Sequence, residues 1–232
     1  MRLLADTGNS RVQWTLANGD HLEPAAYATH DECARAWHHL QPDSAHYCSV
    51  ASADVTAAVL AALPRLEWLR LEAVERAGGV INGYACPAEL GDDRWAALLG
   101  ARVRDPEQNV VIVDAGTAVT VDALAASGQH VGGAIIAGYR AQRAGLSEMA
   151  PALPRTGGHI SVPARNTLDA LATGGYLGLA GAIERVARAL GAELGEWKGL
   201  LTGGDARSLS LLLDAEWIHE PMLTLRGLQR LE

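Results

Sequence analysis

One short pattern occurs twice in this 232-residue chain, about half a chain apart, and it constrains the fold more than any other feature. The first copy is Leu4 to Asn9 (LADTGN), and the second is Val113 to Thr117 (VDAGT). Each copy sets an acid at the end of an apolar run, follows it with a glycine-containing turn, and continues into a strand of alternating polar and apolar residues. A repeat with so long a period predicts a duplicated lobe rather than a solenoid.

The rest of the chain alternates predicted strands with predicted helices, which indicates an α/β fold. The most apolar strand, residues 109–113, is typical of a strand buried on both faces of a sheet. We therefore expect two lobes, residues 1–104 and 105–232, each with a sheet of its own.

Two helices carry specific predictions about their ends. Residues 54–63 are rich in alanine and leucine, and Asp54 is the predicted N-cap of that helix. Residues 167–190 form a second, longer helical stretch, which the Gly174-Gly175 pair is expected to break or bend.

Composition excludes several classes of protein. The formal net charge of −8 argues against a nucleic acid or a membrane surface bound through bulk electrostatics. The cysteines, Cys33, Cys48 and Cys86, form no C-x-x-C pair, so a disulfide framework or a zinc site is not expected. The apolar start of the chain is too short for a signal peptide, and no stretch approaches a membrane span. We expect a cytoplasmic protein.

The repeated pattern suits phosphate chemistry. Each copy presents a carboxylate, Asp6 or Asp114, beside a turn whose backbone N–H groups are expected to be available to a ligand. Facing each other, two such turns would cradle a polyphosphate, and the acids would hold Mg²⁺, which prefers a few carboxylates plus phosphate oxygens. One such motif is weak evidence, because it is also an ordinary turn. Two copies, together with the later Thr202-Gly203-Gly204, are far more specific.

In chain order, these motifs and others resemble the type III pantothenate kinase family of the actin, sugar-kinase and heat-shock ATPase superfamily. The two most specific are Gly91 to Arg94 (GDDR) and Asp114 to Asp122 (DAGTAVTVD). The others are Asp6 to Arg11, Tyr84 with Pro87, Gly132-Gly133 with Gly138, Asn166-Thr167, and Thr202 to Ala206.

The resemblance implies two ribonuclease-H-like lobes in the actin-like ATPase fold, with an ATP cleft between them. It implies a homodimer that phosphorylates pantothenate with ATP and Mg²⁺, the first step of coenzyme A synthesis, and that is activated by K⁺ or NH₄⁺.

The resemblance also implies residue roles. The first phosphate loop would consist of Asp6, Thr7, Gly8, Asn9, Ser10, Arg11, Val12 and Gln13, with Asp6 helping to hold Mg²⁺. ATP would also contact Thr117, Thr202, Gly203 and Gly204, and Asp114 would bind the monovalent cation. Asp93 would be the general base. Pantothenate would contact Tyr84, Gly91, Asp92, Asp93, Arg94 and Thr167, with Thr167 coming from the partner subunit.

Three positions depart from the family pattern. Gln13 stands where Lys or Arg is usual, which removes a cation near the phosphates. Ser10 replaces Thr and keeps the hydroxyl group, and Ala137 replaces Pro before Gly138.

Other interpretations stay open at this stage. Arg94 can keep Asp93 ionised or can pair with the pantothenate carboxylate. Asp92 and Asp93 can be an N-terminal helix pair, Tyr84 a core aromatic, and Thr167 a helix cap. For the whole chain, the alternatives are an accessory or regulatory ATP-binding protein and a kinase of another small hydroxy acid or sugar.

Overall fold

The computed structural model describes residues 1–214 and 216–231, and these divide into two compact units. The first unit contains residues 1–107, residues 126–130 and the described chain from 222 onward. The second contains the remaining described residues between 108 and 221. The single lobe boundary between residues 104 and 105 stays a prediction, and the units differ from it in placing two later segments with the first part of the chain.

Strands and helices alternate along most of the chain. The strands are β1 (Arg2–Thr7), β2 (Val12–Asn18), β3 (His21–Leu22), β4 (Ala26–Ala28), β5 (Ser44–Ser49), β6 (Trp68–Arg70), β7 (Arg76–Ala77), β8 (Val80–Ile81), β9 (Val110–Ala115), β10 (Ala118–Leu124), β11 (His130–Ala137), β12 (Lys198–Thr202) and β13 (Trp217–His219). The α-helices are α1 (Cys33–Trp37), α2 (Ala53–Leu60), α3 (Asp92–Arg104), α4 (Tyr139–Met149), α5 (Thr167–Gly191), α6 (Ala206–Ser210) and α7 (Leu223–Leu228). Single 3₁₀ turns occur at His30–Glu32 and Pro87–Glu89.

The two units have sheets with the same strand order. In the first, the order is β3-β2-β1-β5-β6, with β1 antiparallel to β2 and parallel to β5. In the second, the order is β11-β10-β9-β12-β13, with β9 antiparallel to β10 and parallel to β12. When the five strands of each path are numbered in chain order, both sheets have the pattern 3-2-1-4-5 of a ribonuclease-H-like lobe, and in the first sheet β4 also pairs with β2. The predicted α/β class and the predicted duplication are confirmed.

The sheet register places the two acids at equivalent positions. Asp6 is the next-to-last residue of β1, and Asp114 is the next-to-last residue of β9. On the neighbouring parallel strand, Asp6 lies beside Cys48 and Asp114 lies beside Thr202. The two copies of the sequence pattern therefore occupy equivalent positions in the two sheets.

Helix α3 is held in the first unit by close backbone contact with α7. A Cβ atom on Gly100 would lie 2.0 Å from the carbonyl oxygen of Leu223, and one on Gly227 would lie 1.9 Å from that of Ala96. Only glycine allows so close an approach of two backbones. This contact sets the position of the α3 N-terminus, where Asp93 lies.

Two of the helix predictions need correction. Helix α5 is continuous through Gly174 and Gly175, so the predicted break is wrong and a bend stays a prediction; Gly175 makes room for the Tyr139 ring, whose Cε2 would lie 2.8 Å from an added Cβ atom. The N-cap of α2 is Ser52, whose side chain accepts a hydrogen bond from the Val55 N–H, and not Asp54. Within the described part of the chain, none of the helices combines the length and the hydropathy that a membrane span requires.

Candidate functional site

The first glycine-containing turn, from the end of β1 to the start of β2, is closed by a hydrogen bond within its own backbone. The Gly8 N–H donates to the Arg11 carbonyl oxygen at 3.0 Å, so that N–H group is used within the turn and is not available as expected. The Gly8 carbonyl oxygen lies 2.9 Å from Nε2 of His30. The Gln13 side chain donates to the Tyr27 hydroxyl group at 2.9 Å. Sequence reasoning missed His30, which fixes the turn from outside it.

The carboxylates of Asp6 and Asp93 both influence the pKa of one buried thiol, that of Cys48. The Cys48 Sγ donates to Oδ1 of Asp6 at 3.4 Å. Burial, and then the negative charges of Asp6 and Asp93, raise the pKa of Cys48 well above its ordinary value. The thiol therefore stays protonated, and the structure brings the predicted base near the predicted phosphate-loop acid. Cys48 was missed because only the strand register reveals it as the neighbour of Asp6.

Asp93 is the second residue of α3, where a carboxylate is favoured by the positive end of the helix dipole. Its Oδ1 accepts a hydrogen bond from the Arg94 N–H at 2.7 Å. A Cβ atom on Gly91 would lie 2.6 Å from that same oxygen. Any larger residue at position 91 would therefore force this carboxylate to move.

Asp92 fixes the approach to α3. Its carboxylate accepts from Nη2 of Arg70 at 2.9 Å, from Nε of Arg70 at 3.2 Å and from the Ala73 N–H at 3.1 Å. With these donors, Asp92 joins β6 and the segment after it to the start of the helix. The contacts are those of a residue that orders the site.

Arg94 is buried and directed toward Tyr84. Its Nη1 donates to the Tyr84 hydroxyl group at 2.7 Å, and its guanidinium carbon lies 5.4 Å from the centre of the Tyr84 ring. The structure thus joins two residues that the sequence predicted for one pocket. Tyr84 is therefore held by a hydrogen bond as well as by packing.

In the second unit, three loops meet at Asp114. Gly203 has a φ of 93°, and a Cβ atom there would lie 2.4 Å from Oδ1 of Asp114. A Cβ atom on Gly138 would lie 2.3 Å from the Gly116 carbonyl oxygen, and the Gly138 N–H donates to the Thr117 carbonyl oxygen. Close backbone approach of this kind is how glycine-rich loops form phosphate sites.

In the second turn, as in the first, the N–H group of the glycine is hydrogen-bonded within the turn. The Gly116 N–H donates to the Ala118 carbonyl oxygen at 3.1 Å, so it too is unavailable to a ligand. The expectation that the glycine N–H groups of the two turns are open is therefore wrong for both. Thr117 itself is exposed at the tip of the turn.

A pocket of about 150 Å³ opens beside this turn. Its walls include the rings of Tyr139 and Tyr176, which stack with centroids 3.8 Å apart, and the ion pair of Arg140 with Asp205 at 3.4 Å. The lining residues are Gly116, Val119, Tyr139, Arg140, Tyr176, Leu179, Asp205, Ser208 and Leu209. The two tyrosines carry no motif signal, so sequence reasoning missed this wall.

Thr167 is exposed at the first position of α5. The cap is the preceding residue, Asn166, whose side chain accepts from the Asp169 N–H at 2.9 Å. The interpretation of Thr167 as the cap is therefore wrong, and its hydroxyl group is on the surface.

Residues 1–214 and 216–231 contain no group of three or more His, Cys, Asp and Glu side chains arranged to hold a metal ion. Mg²⁺ in phosphoryl-transfer sites uses one or two carboxylates together with substrate phosphates. Asp6 and Asp114, each at a strand end beside a glycine turn, fit that requirement, and neither needs a complete protein cage.

Comparison with known sequences gives a consistent result. The sequence model of the family described as type III pantothenate kinase matches residues 2–189. A type III pantothenate kinase from Chromobacterium violaceum is 38% identical over 227 residues, which cover 96% of this chain and 93% of that protein. One from Halorhodospira halophila is 37% identical over 246 residues, covering 98% and 96%.

Comparison with solved structures agrees on the fold. A protein from Campylobacter jejuni described as a Baf family transcriptional activator matches with a TM-score of 0.65 at 24% identity, covering 97% of this chain and 94% of that one. A protein from Sinorhizobium meliloti described as a 2-dehydro-3-deoxygalactonokinase matches with a TM-score of 0.58 at 15% identity, covering 98% and 97%. The fold is that of the actin-like ATPases and sugar kinases.

Proposed function

The chain belongs to the type III pantothenate kinase family, and from this premise we propose that it transfers the γ-phosphoryl group of ATP to pantothenate. The product is 4′-phosphopantothenate, and the reaction opens coenzyme A synthesis. The observation that carries the proposal is that Asp6, which we assign to the phosphate loop, accepts a hydrogen bond from the buried Cys48 thiol, and that Asp93, which we assign as the base, also contributes to raising the pKa of that thiol. The cytoplasm, where ATP is available, is the proposed compartment.

For the nucleotide, we assign the turn from Asp6 to Gln13 in the first unit, and Thr117 with Thr202 to Gly204 in the second. Mg²⁺, when bound with ATP, neutralises charge on the transferring phosphoryl group, and Asp6 would hold it. The tyrosine-walled pocket beside Gly116 supports an adenosine position next to the Gly203-Gly204 turn. An aromatic wall suits a purine base, which needs a flat apolar surface.

For the chemical step, Asp93 orients the substrate hydroxyl group and accepts its proton. A carboxylate that is ionised at neutral pH suffices, because phosphoryl transfer has a loose transition state in which the proton moves late. The Arg94 N–H and the α3 N-terminus both favour the charged form of Asp93.

For pantothenate, we assign Tyr84, Gly91, Asp92, Asp93 and Arg94. A guanidinium group is well suited to a carboxylate, because its planar fork offers two parallel N–H donors. We assign Arg94 to the pantothenate carboxylate, and its support is the hydrogen bond from Nη1 to the Tyr84 hydroxyl group, which directs the guanidinium group toward another residue assigned to this pocket. Asp92 keeps the loop in place through Arg70.

Asp114 is the proposed ligand of an activating monovalent cation, K⁺ or NH₄⁺. The close approach of Gly203 to its carboxylate supports this, because nearby backbone carbonyl groups are the usual further ligands of such an ion. Activity measured in K⁺, NH₄⁺ and Na⁺ at constant ionic strength tests the assignment. Equal activity in all three would remove it.

A homodimer is the proposed assembly, with Thr167 reaching the partner's pantothenate. Support comes from a set of exposed large apolar side chains in the second unit, since apolar residues that gather into one exposed patch are typical of an interaction site. They are Val131, Ile135, Leu146, Met149, Ile160, Val162, Leu168 and Leu177. Light scattering after size exclusion measures the mass, and a monomer at micromolar concentration would contradict the assignment.

The proposed activity is tested by incubating the protein with ATP, Mg²⁺ and K⁺ and a panel of pantothenate, other hydroxy acids and sugars. Mass spectrometry of the products identifies what is phosphorylated. Phosphorylated pantothenate is the expected product. Preferred phosphorylation of another compound would indicate a different kinase, and ATP binding without transfer to any substrate would indicate a regulatory protein.

A further inference from the structure

His130, the first residue of β11, is fully buried against the loop that carries Tyr84. Its ring stacks on the Tyr84 ring, with centroids 5.9 Å apart and planes 18° from parallel. The Gly83 N–H donates to Nδ1 of His130 at 3.4 Å. An Nδ1 atom that accepts this bond leaves the ring proton of neutral imidazole on Nε2. His130 thus contacts both the side chain and the backbone of this loop.

The loop is pressed against His130 so closely that only glycine fits beside it. A Cβ atom on Gly83 would lie 2.0 Å from the His130 carbonyl oxygen. The same carbonyl oxygen accepts a hydrogen bond from the Gln129 side chain at 2.8 Å. The position of the loop is therefore determined by the start of β11.

Tyr84 is fixed on its other sides as well. Its N–H donates to Oδ1 of the buried Asn82 at 3.0 Å, and the Asn82 amide donates to the carbonyl oxygens of Val74 and Pro87. Its hydroxyl group accepts from Arg94. The stacked His130 ring contacts a face of the phenol and so constrains the plane of that ring.

We propose that His130 is a positioning residue for pantothenate, acting through Tyr84. The stacked imidazole sets the plane of the phenol, the phenol oxygen sets the direction of the Arg94 guanidinium group, and that group receives the substrate carboxylate. Holding these groups before the substrate arrives lowers the ordering cost of binding. The inference rests on the proposed function of the site, and it adds a residue outside the sequence motifs.

The test compares two substitutions that divide the contacts of His130. His130→Phe keeps a flat ring for stacking, and His130→Asn keeps an acceptor but loses the ring. We expect His130→Asn to raise KM for pantothenate about 3- to 10-fold, the range of a lost aromatic pair. His130→Phe should stay within about twofold of wild type, and both should keep kcat and KM for ATP. His21→Asn, the same change at an exposed histidine, is the control.

A double-mutant cycle with Tyr84→Ala shows whether His130 acts through the tyrosine. The expected result is that His130→Asn adds no further increase in KM once Tyr84 is gone. Additive increases, or parallel losses in kcat and in KM for ATP, would overturn the inference. If His130→Asn does not fold, as judged by thermal unfolding, His130→Gln takes its place in the cycle with the same expectation.

The same data separate this inference from the proposed function. If wild-type protein does not phosphorylate pantothenate, the proposed function fails. If wild-type protein does so and the His130 variants leave KM for pantothenate unchanged, only the role of His130 fails.

Discussion

Cys48 lies beside Asp6 on the adjacent strand and donates its thiol hydrogen to that carboxylate. A thiolate at this position would be buried beside Asp6 and near Asp93, and this arrangement is why its pKa is raised so strongly. The thiol therefore acts as a neutral donor that fixes one oxygen of Asp6. Cysteine here has a structural use and is chemically inert.

Alkylation should separate the three cysteines. Cys86 is exposed, whereas Cys33 and Cys48 are buried, and burial, with Glu32 nearby, raises the pKa of Cys33 to about 11. Because the thiolate is the reactive form, we expect iodoacetamide at pH 8 to modify Cys86 first and leave the other two intact in the folded protein. Peptide mass spectrometry measures this. Labelling of Cys48 as fast as of Cys86 would contradict the buried, neutral thiol.

At this scale, the sequence predicts residues that carry a motif and misses residues that support one. Arg94 and Tyr84, both assigned to one pocket by the resemblance, are joined by a hydrogen bond, while their roles and that of Asp93 stay predictions. His30 and His130 are not predicted, because each acts through a contact between residues distant in the chain. A single sequence has local periodicity and motif spacing, and it contains no direct signal for which strands become neighbours.

Among the elements, α3 and α7 show how distant parts of the chain determine a site. The two helices meet at glycines, and this contact fixes the position of α3, whose first turn contains Asp93. Nothing in the local sequence of α3 specifies this partner. Contact with a distant residue also explains why α5 is continuous. The Tyr139 ring fills the space beside Gly175, and this packing overrides the low helix propensity of glycine.

Substitution of Gly100 tests the helix contact. Gly100→Ala would place a methyl group 2.0 Å from the Leu223 carbonyl oxygen, so we expect a loss of about 2–3 kcal/mol in the free energy of unfolding. Gly145→Ala, in α4 with no atom within 4 Å of the added methyl group, is the matched control. It should stabilise by about 0.5–1 kcal/mol. Urea unfolding measures both, and equal effects would contradict the close contact.

The contact between β5 and α7 makes stability depend on pH. His46 is buried, and its Nδ1 lies 3.0 Å from the Leu228 carbonyl oxygen. Burial, the main cause, lowers the pKa of His46 below its ordinary value, although the bond to Leu228 opposes the change. The unfolded chain therefore takes up this proton at a higher pH than the folded chain does. Stability from this group is present above about pH 6.5 and decreases as the pH falls below it.

The pH dependence of the free energy of unfolding should differ between wild type and His46→Gln. We predict that wild-type protein loses more free energy of unfolding between pH 7.5 and pH 5.5 than the variant does, since the variant has no imidazole to protonate. Urea unfolding at the two pH values measures this. The same pH dependence in both proteins would show that His46 has an ordinary pKa in the folded state.

For the whole molecule, the sequence repeat was sufficient to predict the duplicated architecture. The same acid-and-turn pattern occupies equivalent positions in two sheets of the same strand order. Local alternation of polar and apolar residues predicts individual strands, and the repeated acid-and-turn pattern predicts that the two halves of the chain have similar folds. They do not predict that residues 126–130 and the chain from 222 onward join the first unit, because that depends on contacts between segments far apart.

The proposed phosphoryl transfer to pantothenate is tested most directly at Asp93, the proposed general base. ADP release is measured with and without pantothenate for wild type, Asp93→Asn and the exposed surface control Asp54→Asn. We expect Asp93→Asn to lower the pantothenate-dependent kcat by about 10²- to 10⁴-fold, which is the contribution of a positioned general base, while its thermal stability is maintained and Asp54→Asn has wild-type activity. Wild-type turnover in Asp93→Asn would contradict it.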